Sequence, residues 1–371
     1  MSDTEETAEN RRLVDTITDP ELDWVGPEPR GIASVLTRDT PALHTVVEER
    51  RDGLKNWEVD ISHEGARICS KFDEEGFAMY EFVFKNLRFR LPFSNFAMGV
   101  FRWLRLAPSQ LHSNSMAFIR AFEALYEHLH VEPTLPLFFR VFKIQRQPTK
   151  NGHDWVSLKH QSHKLFKMFI DSIRGFKERY YVVRPVTQSA RDSLYQVKTL
   201  MNTDVSSRLD KHGVQMTRRV AQFPLSWTEK HFKLGTDAYL TEDDNLTVED
   251  VAGFERLRAY VGSFTPALCV TRAGVPIRDE EGKQKIESRY VNTKTLLECK
   301  SRAEAKLLLD NMSSLQECMI KMQKSKKARN GTASITAVVG NEQQVSSGCS
   351  SHIFLVQAPG FEHGFVGCYF S

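Results

Sequence analysis

No CxxC pair occurs in the 371 residues, and no two of the six cysteines (Cys69, Cys269, Cys299, Cys318, Cys349 and Cys368) lie within four residues of each other. That spacing excludes a zinc knuckle, the zinc-binding head of an integrase and a dense disulfide framework. The thiols are expected to serve as small apolar side chains in a reducing, intracellular compartment. No run of 18 apolar residues exists, so no transmembrane helix and no membrane partner is expected. The opening MSDTEETAEN has no apolar stretch, which argues against secretion. The N-x-S/T triplets at Asn245, Asn311 and Asn330 then read as chance matches.

Catalytic signatures are missing as well. No Asp-Thr-Gly or Asp-Ser-Gly presents a carboxylate in the turn an aspartic protease uses. Asp243-Asp244 follows Tyr239 too distantly for a polymerase motif and reads as an acidic loop. No glycine-rich phosphate loop and no nucleophile elbow frames a serine. His153, His160 and His163 cluster in sequence without thiolates, which favours a surface role over metal binding. No catalytic residue, metal, cofactor or small-molecule substrate is therefore expected.

What is present is an uneven charge. Residues 1–80 hold 9 Lys+Arg against 19 Asp+Glu, residues 81–235 hold 25 against 11, and residues 236–371 hold 16 against 17. The formal net charge of +3 hides an acidic head and a strongly basic middle. A basic domain attracts polyanions, nucleic acid above all.

Periodicity predicts an α+β, helix-rich fold: a compact basic core with a small β-hairpin or sheet, then a long amphipathic helix, between disordered termini. The expected divisions are a largely disordered head at 1–75, a core at 76–270, a helix at 290–325 and a disordered tail at 331–371. Within the core, a strand is expected around 81–90, and a helix from an Ser94 cap towards Leu106. A second helix begins near Asn114, with Phe118, Phe122, Leu125 and Leu129 as its apolar stripe and Arg120, Glu123 and Glu127 in solvent. VFKIQRQ (141–147) and HDWVSLKH (153–160) flank an Asn-Gly turn signal and predict a hairpin. A helix is expected around 163–174, a strand over 179–185, helical or loose chain over 186–222, and a helix from Thr247 with Asp250 closing a capping box. Ala305, Leu308, Met312, Leu315, Met319 and Met322 form a short heptad seam in a helix over 293–323.

Three blocks carry a family resemblance. LAPSQLHSNS (106–115), followed by the aromatic helix AFIRAFEAL, lies inside the longer stretch 91–142; DSIRGFKERYYVVRP (171–185) and FPLSWTEK (223–230) follow. Together they resemble a plant family of gypsy-type transposon proteins, also called transposase proteins. The resemblance implies an origin in a retrotransposon, in a gag-like or accessory position. No transposase chemistry accompanies it, and most of the signature residues read as fold-maintaining.

The first functional reading is a non-enzymatic, gag-like protein that binds RNA or DNA and self-associates. Its candidate phosphate contacts are Arg102, Arg105, Arg140, Lys143, Arg146, Lys159, Lys164, Lys167, Arg174, Lys177 and Arg179, with Trp155 or Tyr180 for stacking if exposed. Leu308, Met312, Leu315, Met319 and Met322 would serve self-association as a homo-oligomer. Lys324, Lys326, Lys327 and Arg329 resemble a nuclear-import signal, so the expected compartment is the nucleus or the cytoplasm. The alternatives are a protein-interaction module whose acidic head covers the basic core, and a decayed element product. A transposase-type enzyme needs three converging carboxylates and ranks last.

Overall fold

The computed structural model describes residues 19–311, except 38, 40–46, 49–52, 63–64, 73–74, 148–150, 163, 171–174, 203–205, 265–268, 270, 272–274 and 287–288. Aromatic side chains dominate its interior. A short helix, Pro27–Gly31 (α1), precedes two strands, Trp57–Asp60 (β1) and Phe77–Tyr80 (β2). Glu81–Lys85 (α2), Asn95–Leu104 (α3), Ser113–His128 (α4) and Leu135–Val141 (α5) follow. Next come Phe142–Arg146 (β3), Val156–His160 (β4), Phe166–Lys167 (β5) and Tyr180–Pro185 (β6). Gln188–Leu194 (α6), Tyr195–Thr199 (β7), Thr217–Ala221 (β8) and Val248–Gly262 (α7) lead to Val291–Asn292 (β9), Thr293–Leu297 (α8) and Arg302–Asp310 (α9).

Local chemistry explains several of these boundaries. Ser94 accepts from the Ala97 amide and starts α3, as its sequence predicts. That helix stops because Arg105 turns left-handed at φ 56°, three residues before Pro108. The Asp250 amide donates to Thr247 Oγ1 and the Thr247 amide to the Asp250 carboxylate, closing the expected capping box on α7. The cap of α4 is His112, whose Nδ1 accepts from the Asn114 amide, rather than Asn114 itself. Asn114 is free to clamp the backbone of Ile170 instead, donating to its carbonyl and accepting from its amide.

Helix α4 is the hub of the molecule, with α2, α3, α8, α9 and β4 packed against it. Phe118, Phe122 and Leu125 are fully buried along its expected stripe. Because the helix is covered on several sides, Arg120 and Glu123 are not solvated: their side chains keep only 16% and 12% of their exposure and pair with each other. Burial raises the Glu123 carboxyl above its ordinary range, and Ser94 donates a hydrogen bond to it. Beside α4, a three-stranded antiparallel sheet has the order β1-β6-β2. The hairpin β3–β4 forms at the expected place, with Phe142 opposite His160 and Lys143 opposite Lys159.

Five expectations are corrected. The aromatic run after Phe77 continues as the helix α2 rather than a strand over 81–90; a helical turn buries Phe82, Val83 and Phe84 together, which an alternating strand cannot do. The described residues of 163–174 contain β5 and no helix, because Leu165 and Phe166 are drawn into pairing with β9. The polar stretch 186–222 holds α6 and a ribbon, β7–β8. The late helix is broken: α8 ends at Leu297, and Ser301 caps a new helix, α9. Met312, Leu315, Met319, Met322, the run Lys324–Arg329 and the tail at 331–371 lie outside the described residues.

The fifth correction concerns the head. From residue 19 onward its described part is built into the fold rather than disordered. Leu22, Val25, Ile32, Trp57, Ile68 and Phe72 are buried in the common core, and β1 is an edge strand of the main sheet. The backbone of Trp24–Gly26 bonds both faces of His153, next to the predicted Asn-Gly turn. Gly152 there has φ 78°, and a Cβ on it would stand 2.6 Å from the Val25 carbonyl carbon. At the other end Val291, Leu296, Leu297 and Leu309 join the same core, so the packed unit does not stop at 270.

Candidate nucleic-acid interface

The signature residues come together in space, but inward. Gln110 is fully buried. Its side-chain oxygen accepts from the amides of Ala107 and Thr228, and its nitrogen donates to the Thr228 carbonyl at 3.0 Å. Trp227 Nε1 donates to Ser109 Oγ, Trp155 Nε1 donates to Tyr80 Oη, and the two indoles meet edge to face at 5.8 Å. Ser115 Oγ accepts from the Leu158 amide. The His112 ring meets Phe176 at 5.2 Å. Thus 106–115 is bolted to 171–185 on one side and to 223–230 on the other. Gln110, Asn114 and Ser115 satisfy backbone groups that would otherwise be stranded, Ser109 holds the Trp227 indole, and Ser113 Oγ is buried with no hydrogen-bond partner among the described residues.

Several predicted phosphate contacts are also occupied. Arg140 is paired with Asp243 and bonds Gln161, with its guanidinium 5.0 Å from the Phe254 ring centre. Arg146 donates to His231 Nε2, to the His231 carbonyl and to the Leu234 carbonyl. Lys177 pairs with Glu28 at 2.6 Å and covers the Trp155 ring. Arg179 binds the buried Glu81 at 2.5 Å. Burial pushes the Glu81 carboxyl up, but Arg179 and Lys85 outweigh it and hold it below the usual range. Lys164 and Lys167 both lie 5.4 Å from the Tyr290 ring centre. Arg174 lies outside the described residues.

Arg102, Arg105, Lys143 and Lys159 have no carboxylate in ion-pair reach among the described residues. Lys143 and Lys159 face each other directly across β3–β4, on the side away from Phe142, Ile144 and Leu158. Trp155 and Tyr180 are buried and cannot stack on bases. Among the described residues the exposed aromatic is Trp103, 45% accessible between Arg102 and Arg105 and with one ring neighbour, Phe139, at 6.2 Å. The sequence hid it, since Trp103 follows Val100 by three residues and so has the spacing of a buried helix position. His153 and His160 stand at opposite ends of the β4 segment, one stacked on Phe232 and the other accepting from the Phe166 amide. Among the described residues no three His, Cys, Asp or Glu side chains converge as a metal-ligating group.

His231 is fully buried near this surface. Its Nδ1 lies 2.7 Å from the Leu104 carbonyl and its Nε2 accepts from Arg146, which fixes the neutral ring with the proton on Nδ1. Burial first, and Arg146 beside it, push its pKa down to about 4. His112 and His160 are pushed by burial to about 4 as well. Unfolded histidine takes its proton near pH 6.5, so between that pH and about 4 the unfolded chain binds more protons than the native one. Stability is therefore full above about pH 6.5 and falls as pH drops through this window, by about 3 kcal/mol for His231. Denaturant titrations at stepped pH are expected to show this slope, and a shallower one in His231→Gln.

The fold is thus an α+β body with an inward-turned polar signature. The family model described as "Putative gypsy type transposon" matches residues 81–146, from the first residue of α2 to the last of β3. Over this stretch the chain is similar to that family. The blocks at 171–185 and 223–230 lie outside the match. No curated protein and no solved structure matches the chain. No helix among the described residues is long and apolar enough to cross a membrane.

Proposed function

We propose that this is a non-enzymatic, mobile-element-derived protein, gag-like in position, that binds nucleic acid through its basic face. The observation carrying the proposal is the set of uncompensated cations: Lys143 opposite Lys159, and Arg102 and Arg105 flanking the exposed Trp103. Like charges directly opposed on a hairpin destabilise it, and a phosphate backbone relieves the repulsion. Trp103 offers an unpaired base a stacking surface. The burial of Ser109, Gln110, Asn114 and Ser115 supports a scaffolding role for the signature rather than a chemical one. Self-association enters this reading only through Met312, Leu315, Met319 and Met322, because Leu308 already packs inside the fold. Lys324, Lys326, Lys327 and Arg329 would direct import in a nuclear setting.

Fluorescence anisotropy of the full chain with single-stranded RNA and duplex DNA, across a salt series, tests the proposal. These four cations contribute a log–log slope of roughly −4 on duplex DNA and roughly −3 on a single strand. A slope near zero, or no binding at low salt, refutes it.

A further inference from the structure

Two stretches of the chain fold alike. In the first, the Leu200 amide donates to the Met216 carbonyl, Arg208 to Leu200, and Met216 to Arg208, each at 2.8 Å, closing a ring of three hydrogen bonds. In the second, Cys269 donates to Lys285, Ile277 to Cys269, and Lys285 to Ile277, at 2.8, 3.0 and 2.8 Å. Each ring carries the same tip. Asp210 Oδ1 accepts from the amides of His212 and Val214, and Asp279 Oδ1 from those of Glu281 and Lys283. Gly213 and Gly282 turn left-handed at φ 76° and 80°, and Gln215 and Gln284 close the pairing. The shared local sequence is Asp-x-x-Gly-x-Gln.

The backbones agree while the charges oppose. Where the first tip carries Lys211 and His212, the second carries Glu280 and Glu281. The fold of this module therefore does not require basic side chains. Only the first module stands on a described antiparallel stem, β7–β8, where Lys198 lies directly opposite Arg218. Both are exposed, with no carboxylate in ion-pair reach among the described residues. Arg219 is different: it pairs with Asp192 and covers Tyr195, fixing the root of the arm. Residues 196–221 hold five Lys and Arg against two Asp, and no Phe, Tyr or Trp; Tyr195 at the root is covered by Arg219. The arm thus offers unpaired bases no large aromatic platform, whereas a two-stranded ribbon fits the roughly 12 Å major groove of B-form DNA.

We propose that the arm Tyr195–Ala221 grips the phosphate backbone of duplex DNA, with Lys198, Arg218 and Lys211 as its contacts. This rests on the nucleic-acid reading above and adds to it a second, duplex-directed element. Full-length chain would be titrated against labelled duplex DNA and single-stranded RNA in three double variants. These are Lys198→Gln with Arg218→Gln, Lys211→Glu with His212→Glu, and, on the body, Lys143→Gln with Lys159→Gln. The second variant gives the first tip the side chains that the other module already carries, so its melting temperature is expected to stay unchanged. Removing Lys198 and Arg218 is expected to weaken duplex binding about tenfold near 0.1 M salt and to flatten the salt slope by about 2, with RNA binding changed less than about twofold. The tip variant is expected to weaken duplex binding in the same sense. Wild-type duplex affinity and slope in both arm variants overturns the arm, and a loss confined to the body variant then leaves the general reading standing. Equal losses on duplex and RNA overturn the duplex preference. Absence of binding by the unmodified chain overturns both readings.

Discussion

Replacing Gln110 by alanine is expected to cost about 3–5 kcal/mol of stability, as the sum of three stranded backbone groups at about 1–3 kcal/mol each, partly relieved by water. Those groups are the amides of Ala107 and Thr228 and the Thr228 carbonyl, all now held by one carboxamide. The loss is local as well as global. With Thr228 released, the neighbouring Trp227 loses its anchor against Ser109 and Trp155. Hydrogen exchange should therefore accelerate at the Thr228 and Ala107 amides before the rest of the molecule opens. Gln110→Met keeps most of the volume and removes the hydrogen bonds, so it is expected to lose nearly as much as alanine. A methionine variant as stable as the parent would show that the bonds contribute little and that packing alone joins these segments.

Phe122→Ala is the second large effect, expected at about 3–5 kcal/mol, the usual range for truncating a buried phenylalanine. The Phe122 ring meets Tyr126 at 4.2 Å, Phe138 at 5.1 Å and Phe96 at 5.5 Å, so its removal opens a void bounded by α3, α4 and α5 together. Phe122→Leu retains part of that volume and is expected to lose about half as much. Urea titration separates the cases: the midpoint should move while the dependence on denaturant stays constant. A shift under about 1 kcal/mol for alanine would mean that the neighbouring rings collapse into the gap and that α4 is less central than its burial indicates.

Elements governed by nearby residues were legible in the sequence. Ser94, Thr247 with Asp250, the hairpin around Asn151-Gly152 and the strand ending at Pro185 all depend on chemistry within a few positions, and each forms where expected. Distant partners were not legible. Nothing local marks Trp57–Asp60 as a strand, because its pairing depends on β6, more than a hundred residues later. Glu123 follows the pattern of a solvated position, and only the covering of α4 from several sides makes it buried. The same limit applies to the surface. The count of Lys and Arg marks a basic middle, but whether a cation is spare depends on where a carboxylate arrives. Arg140 is met by Asp243 and Lys177 by Glu28, while Lys143 and Lys159 lie opposite each other with no carboxylate in ion-pair reach among the described residues. The repeated Asp-x-x-Gly-x-Gln was present in the letters, yet two copies of so short a pattern signify little until their hydrogen-bond rings are seen to match.

The order of strands in the main sheet bears on how the chain is made. β6 lies between β1 and β2, yet it is the last of the three in sequence. A ribosome therefore releases Trp57–Asp60 and Phe77–Tyr80 long before the strand that joins them exists. Until Pro185 has emerged, two aromatic strands have open edges and no neighbour. Non-local pairing of this kind slows folding and leaves adhesive edges exposed during synthesis. Chains truncated between β2 and β6 should accumulate as insoluble aggregates, and slower translation should extend the interval in which nascent full-length chains do the same.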